Sequence, residues 1–481
     1  MVSSAVPALR ATRVAPREAL RQGAGARGSG TRARRRAVIG AGLFTVGVIA
    51  VAFGLFGSSS AGGALPLIGL GLILLFIGVA VLLNRIVRPL ASFVGWPIER
   101  MRGVIGRLAR ENTLRNPTRT STTAAALMIG VALVVFVAVF AAAITRSFDD
   151  ALDNQFAGDL VVVNTDGFSP IPPAVGEQIT DVDGVAVVSP FTAASGRVEG
   201  VSGNHRIDGI DPTNVTQVAN VDFSDGSEDA LAELDSGGAL IEQGFAEDND
   251  FSVGDDLAIT APDGGEHSFT VAGIVDDRAG LVVQEIAVSG ERLREDFDAR
   301  LDLVTLVGFE EGADFDATRA QVDEQLQEAF PNTETRSQQQ LKDDQRDQIN
   351  QLLVLIYALL ALSVIVSLFG VVNTLVLTIH ERTRELGMLR AIGTSKRQVR
   401  RMVRYESVIT ALIGAIMGAA IGLVLAIAAV EALSDEGLVR SIPVILILIV
   451  IALAGLAGVL AAIAPARRAS RLDIVEALQY E

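Results

Sequence analysis

Ile379-His-Glu-Arg-Thr-Arg-Glu-Leu-Gly-Met-Leu-Arg-Ala-Ile-Gly393 decides how the rest of the chain is read. It separates two apolar segments, 352–378 and 405–430, each long enough to cross a bilayer. A run this charged cannot itself lie in hydrocarbon, so it belongs at a membrane surface. Glu381, Arg382, Arg384, Glu385 and Arg390 crowd its polar side, while Leu386, Met388, Leu389 and Ile392 recur at helical spacing. The pattern predicts an amphipathic helix stopped by Gly393, with Ser395 and Gln398 spaced as a capping box for the next helix. Periodicity alone leaves two readings open: a surface helix that only joins two spans, or one that docks on a partner.

Half of the residues are hydrophobic and the mean hydropathy is +0.42, the mark of several spans rather than one soluble globule. There is no cysteine, which excludes disulfides and thiolate metal sites. His205, His267 and His380 are scattered and read as loop or surface positions, not ligands. The net charge of −16 conceals a division. Residues 146–350 hold 44 acidic against 11 basic side chains, a net of −33, and the remainder hold 12 against 29, a net of +17. That split predicts two compartments, with short basic loops in the cytoplasm and a long acidic domain outside.

Six apolar runs fall at about 37–56, 64–83, 121–144, 352–378, 405–430 and 442–463. Residues 1–36 form an arginine-rich tail before the first run, which is too long for a typical signal peptide and lacks a clear cleavage site. A basic linker, 84–120, follows the second run and holds Trp96 as an interface anchor. Both termini are expected in the cytoplasm, with 379–404 a cytoplasmic helix and connector and 464–481 a tail. In the fifth span Gly414, Gly418 and Gly422 stand four apart, and in the sixth Ala454, Gly458 and Ala462 do likewise. Such rows let helix backbones approach closely in lipid.

The domain over 145–350 opens and closes on polar helices, Arg146 to Phe156 and Gln338 to Gln351. Strand-like runs lie at Leu160–Val163, Val185–Val188, Ala239–Ile241, Leu257–Thr260, Phe269–Ile274, Glu285–Val288 and Leu303–Val307. Helical patterns at about 173–180 and 315–330 complete an α+β reading. The expected fold is thus a polytopic α-helical membrane protein with six transmembrane helices and one large α+β extracytoplasmic domain.

The run from Asn373 to Lys396 resembles the signature of the FtsX/MacB-like permeases of ATP-binding-cassette (ABC) systems, and the phrase Arg110–Thr120 resembles the entry to the first helix of such a unit. In that family the signature segment is the cytoplasmic coupling helix, which docks on a separate ATPase subunit. The resemblance implies that Glu381, Arg382, Arg384, Glu385, Leu386, Gly387, Leu389 and Arg390 meet that ATPase, with Leu386 and Leu389 as the apolar anchor. It also implies a β-rich lobe, about 200–300, interrupting the external domain. Pro7–Leu20 matches Pro465–Leu478 at eight of fourteen positions. On the family's plan this reads as the tail of one unit, two linking helices and a complete second unit.

No phosphate-binding loop, zinc-protease motif or nucleophile elbow is present, and Lys342 and Lys396 are the only lysines. No enzyme, cofactor, metal or nucleic-acid role is therefore expected. The expected function is that of a permease subunit which transmits ATP-driven motion to its external domain, exporting or extracting a lipid, lipoprotein, peptide or drug. Its partners would be the ATPase, a second permease unit or second copy, membrane lipid and an extracytoplasmic protein. The alternative is a signal transmitter acting on a cell-wall hydrolase or a sensor.

Overall fold

The computed structural model describes residues 29–57, 61–115, 117–276, 282–434 and 437–472. The repeat at Pro7–Leu20 and the end of its partner lie outside the described residues. Four helices open the described residues: α1 (Ser29–Phe56), α2 (Ala61–Arg102), α3 (Val104–Arg115) and α4 (Pro117–Gln155). Then come β1 (Leu160–Asn164), α5 (Ala174–Ile179), β2 (Val185–Val198), β3 (His205–Ile210), α6 (Val215–Val218), β4 (Phe223–Asp225) and α7 (Asp229–Glu233). Next are β5 (Gly238–Glu242), α8 (Gln243–Asp248), β6 (Asp256–Thr260), β7 (Glu266–Val275), β8 (Ile286–Ser289) and α9 (Gly290–Phe297). The domain ends with β9 (Asp302–Phe309), α10 (Phe315–Ala329) and β10 (Thr333–Ser337). Five helices close the described residues: α11 (Gln338–Glu381), α12 (Thr383–Ala391), α13 (Lys396–Ala432), α14 (Val444–Ala461) and α15 (Ile463–Ala469).

Among the described residues, six helices are long and apolar enough to cross a membrane: Ala37–Phe56, Pro66–Arg102, Pro117–Gln155, Gln338–Glu381, Lys396–Ala432 and Val444–Ala469. With the mixed sheet between the third and fourth, they make the polytopic α+β architecture expected from the sequence. Two compact units result, one of helices (up to Phe136, Leu360–Ala428 and from Val444) and one of Val137–Leu359 with Ala429–Pro443.

In the helical unit α2 runs well past the expected end of its apolar stretch, through Pro89 and Pro97. Burial holds it together: Leu75, Val79, Leu83, Val87, Ala91 and Val94 form one stripe in the unit's main core. That core also takes Ala124 and Met128 of α4, Val399, Met402, Val403, Ile409 and Ile413 of α13, and Ala466 and Ala469 of α15. Pro117 is the first residue of α4, where its missing N–H costs nothing.

Contact between α13 and α4 is made through glycine. A Cβ on Gly414 would stand 2.6 Å from the Ala124 carbonyl oxygen, and one on Gly418 would stand 2.5 Å from that of Met128. Gly422 meets the Ala132 carbonyl in the same way, and Gly458 packs on Ala411. A side chain at any of these positions collides with a neighbour, and on α13 the neighbour is backbone, which cannot rotate away.

The second unit is a ten-stranded sheet in the order β10-β1-β9-β2-β3-β8-β5-β7-β4, with β6 pairing β2 and β7. All pairs are antiparallel except β3–β8 and β5–β7. Leu160, Val162 and Val307 face α5 and α10, which cover them with Val175, Ile179, Val322 and Leu326. Asp314 caps α10 by accepting from the Ala317 N–H at 3.0 Å. A second core gathers Ile207, Ile241, Leu257, Ile259, Phe269 and Ile286 from strands within 200–300.

The glycine contact sets a test. Gly418→Ile should lower thermal stability in detergent by about 1–3 kcal/mol through overpacking. Gly370→Ala, where an added Cβ meets nothing within 4 Å, should be neutral or slightly stabilising. Equal melting midpoints for the two variants would contradict the close approach of α13 to α4.

Candidate functional site

The charged run quoted first folds as α12, nine residues set between α11 and α13. A helix this short has little stability of its own, so its neighbours must hold it. Arg382, at its N-terminal cap position, does most of that. Its Nε and Nη2 donate to Glu385 at 2.7 and 2.9 Å, and Nη2 also reaches Oδ1 of buried Asn112 on α3 at 2.8 Å. Nη1 lies 3.9 Å from Glu406 on α13, a carboxylate only 17% exposed. The bond to Glu385 pushes the Arg382 pKa further up, and the same bond holds the Glu385 carboxyl below the usual carboxylate range. Arg115 adds to the latter from 3.6 Å. Glu381 is engaged as well, accepting from Arg119 of α4 at 3.1 Å while Arg119 also donates to the Thr374 carbonyl.

Halfway along α12 the helix turns its apolar side inward. Leu386 is 5% exposed and joins the main core, Gly387 is buried beside it, and Leu389 packs partly against it. Arg390 donates to the Leu472 carbonyl, and Arg400 on α13 donates to Ser470 at 3.0 Å, so the segment after α15 is tied to α12 and α13. Gly393 ends the helix in the left-handed conformation at φ 107°, donating to the Arg390 carbonyl, and the Thr394 N–H reaches back to the Leu389 carbonyl. Ser395 and Gln398 exchange both bonds of a capping box, at 2.8 and 3.3 Å.

These positions set the expected docking residues on different sides of the helix. Leu386 and Gly387, both expected to meet the ATPase, are turned into the chain's own interior. An apolar period defines a face but does not say what covers it. The side left open carries Arg384, Met388 and Ile392 at four-residue spacing, with Met388 49% and Ile392 78% exposed. Asn112, Arg115, Arg119 and Glu406 complete the site, and no local pattern in the sequence joins them to Arg382 or Glu381.

Arg382→Ala removes a guanidinium beside Glu406, a carboxylate largely removed from water, and should cost about 3–5 kcal/mol, read as a lower melting midpoint in detergent. Adding Glu406→Gln should restore part of that loss. Because the Glu385 carboxyl titrates below its ordinary value, its contribution is full above that value and fades as pH falls through the depressed one. Wild type should therefore lose stability more steeply than Glu385→Gln at the acid end. Identical acid limbs, or an Arg382→Ala variant as stable as wild type, would contradict this account of the site.

Residues 357–474 match the FtsX-like permease C-terminal family, and residues 120–325 match the MacB-like periplasmic core domain. The pyoverdine export ATP-binding/permease protein PvdT of Pseudomonas putida is 30% identical over 132 residues, covering 27% of this chain and 20% of PvdT. The macrolide export ATP-binding/permease protein MacB of Hahella chejuensis is 34% identical over 130 residues, with the same two shares. The ABC transporter permease YtrF of Bacillus subtilis is 30% identical over 133 residues, 25% of this chain and 30% of YtrF. The chain thus spans about a fifth to a third of the length of the curated relatives it matches. The crystal structure of the periplasmic region of MacB from Actinobacillus actinomycetemcomitans aligns with 40% of this chain and 95% of its own length, at 11% identity and a TM-score of 0.32. With the core-domain signature followed by the permease signature along one polypeptide, the chain belongs to the FtsX/MacB-like permease family of ABC systems.

Proposed function

We propose that this chain is the permease subunit of an ABC export system and that α12 is the helix on which a separate ATPase docks. The observation that carries this reading is the open stripe Arg384, Met388 and Ile392, on a helix otherwise fixed by buried ionic and apolar contacts. A mere linker has no need of a rigid mount; a helix that receives force does. Of the residues first assigned to the docking surface, Glu381 and Arg384 remain exposed and serve it directly. Arg382, Glu385, Leu386, Gly387, Leu389 and Arg390 act behind it as the mount.

In this reading α12 lies in the cytoplasm and the acidic domain outside, as the charge division favours. Closure of the ATPase displaces α12, and Arg382 and Leu386 pass the displacement to α3, α13 and the end of α11. At its other end α11 is bound to α4: Arg346 pairs with Asp149 at 2.8 Å, Lys342 pairs with Asp153, and Gln338 donates to the Leu152 carbonyl. Each helix adjoins one of two paired strands, α11 the edge strand β10 and α4 its neighbour β1. Relative motion of the two helices thus shears the edge of the sheet, and a substrate is released or expelled at the outer face. The export reading follows the names of PvdT and MacB, and a lipid, lipoprotein, peptide or drug fits it. Leu352, Leu355, Leu359, Leu362, Val366 and Phe369 are exposed along α11, which offers that helix to a second permease unit or a second copy.

Pull-down of the cognate ATPase at matched membrane levels tests the docking surface. Met388→Glu and Ile392→Asp should each weaken capture by about 2 kcal/mol or more, roughly thirtyfold, with an unchanged melting midpoint. Leu386→Asp should instead lower the midpoint, since it buries a charge in the core. Full capture by both surface variants would overturn the proposal.

A further inference from the structure

The side of α2 turned away from the core has a composition the export reading does not use. Opposite the buried stripe Val87, Ala91 and Val94, a single face spanning about 80° of arc carries Arg85, Phe93, Trp96 and Arg100. Phe93 is 76% and Trp96 56% exposed, and the Arg100 guanidinium sits 5.6 Å above the Trp96 ring. Arg88 flanks the face, exposed Arg102 ends the helix, and the turn into α3 at Gly103 adds exposed Met101 and Val104. The nearby acids are already used: Glu99 accepts from Arg110 at 2.6 Å and Glu111 from Arg107 at 3.1 Å. Arg85, Arg88 and Arg102 have no acidic partner among the described residues.

The level of this face follows from its neighbours. Gly106 of α3 packs directly on the backbone of Ile98 and Glu99, and α3 reaches Glu406 of α13 through Asn112 and Arg382. The arginine-rich start of α13, ending at Arg404, gives way to its apolar run, and a bilayer surface must lie at such a boundary. α2 likewise continues from a membrane span into its arginine- and tryptophan-bearing end.

We infer that the face from Arg85 to Val104 is a binding surface for anionic phospholipid. Unpaired guanidinium groups match phosphate in charge and in forked geometry. Tryptophan and phenylalanine beside them prefer the headgroup boundary, and methionine and valine gain by leaving water. A soluble acidic partner would account for the arginines but would leave this apolar complement at the height of the bilayer unexplained.

Trp96 is the chain's single tryptophan, so its emission reports this face alone. The full chain is reconstituted in phosphatidylcholine vesicles containing brominated phosphatidylglycerol or, at equal mole fraction, brominated phosphatidylcholine. At low salt the anionic quencher should be about twofold more effective, and the preference should fade as salt rises. The triple variant Arg85→Gln, Arg88→Gln, Arg102→Gln should keep the wild-type melting midpoint and lose the preference. Equal quenching of wild type by both lipids would overturn the inference. Quenching by neither would also overturn it, and would assign the face to a soluble partner.

Discussion

A guanidinium that cannot be neutralised, set among groups largely removed from water, has to be satisfied where it stands. Arg382 meets that demand with three elements at once: Glu385 on its own helix, Asn112 on α3 and Glu406 on α13. The constraint is mutual, because Glu406 is equally short of water and depends on the same cation. Nine residues of helix, with no stability to spare, thereby acquire a fixed place. Leu386 seals the middle of α12 to the core, and Arg390 and Gly393 fix its end.

Rigidity at α12 would mean little if its neighbours were loose, and they are not. α13 lies backbone to backbone on α4 along Gly414, Gly418 and Gly422, which leaves no room for sliding over a soft layer of side chains. The paired ends of α4 and α11 are joined by Arg346–Asp149 and Lys342–Asp153, and each leads within a few residues into a strand of the same antiparallel pair. Along this proposed path, force meets ion pairs, glycine contacts and ladder hydrogen bonds in turn.

Much of this was legible in the sequence, because the signals that carried it were local. Apolar runs marked six spans, Gly393 marked a stop, and Ser395 with Gln398 marked a cap that the structure contains bond for bond. What was not legible depended on partners distant in the chain. Leu386 read as a surface anchor because nothing near it announces the core that covers it. Arg382 gave no sign of Asn112 or Glu406. β3, His-Arg-Ile-Asp-Gly-Ile, and β10, Thr-Glu-Thr-Arg-Ser, are too polar to signal strands, and they form because β1, β2 and β8 offer them backbone partners. β2 runs to Val198, beyond its obvious Val185–Val188 start, for the same reason. α2 outlasts Pro89 and Pro97 because Val87, Ala91 and Val94 gain more from burial than the prolines cost.

The native chain contains no cysteine, so a single introduced thiol is unambiguous. Maleimide labelling of Met388→Cys and Leu386→Cys, in membranes with and without the ATPase, therefore tests most directly which side of α12 is the mount and which is the dock. Met388→Cys should label rapidly and be protected by the ATPase, and Leu386→Cys should label almost not at all in either condition. Labelling of Leu386→Cys as fast as Met388→Cys, or no protection of Met388→Cys by bound ATPase, would contradict this assignment.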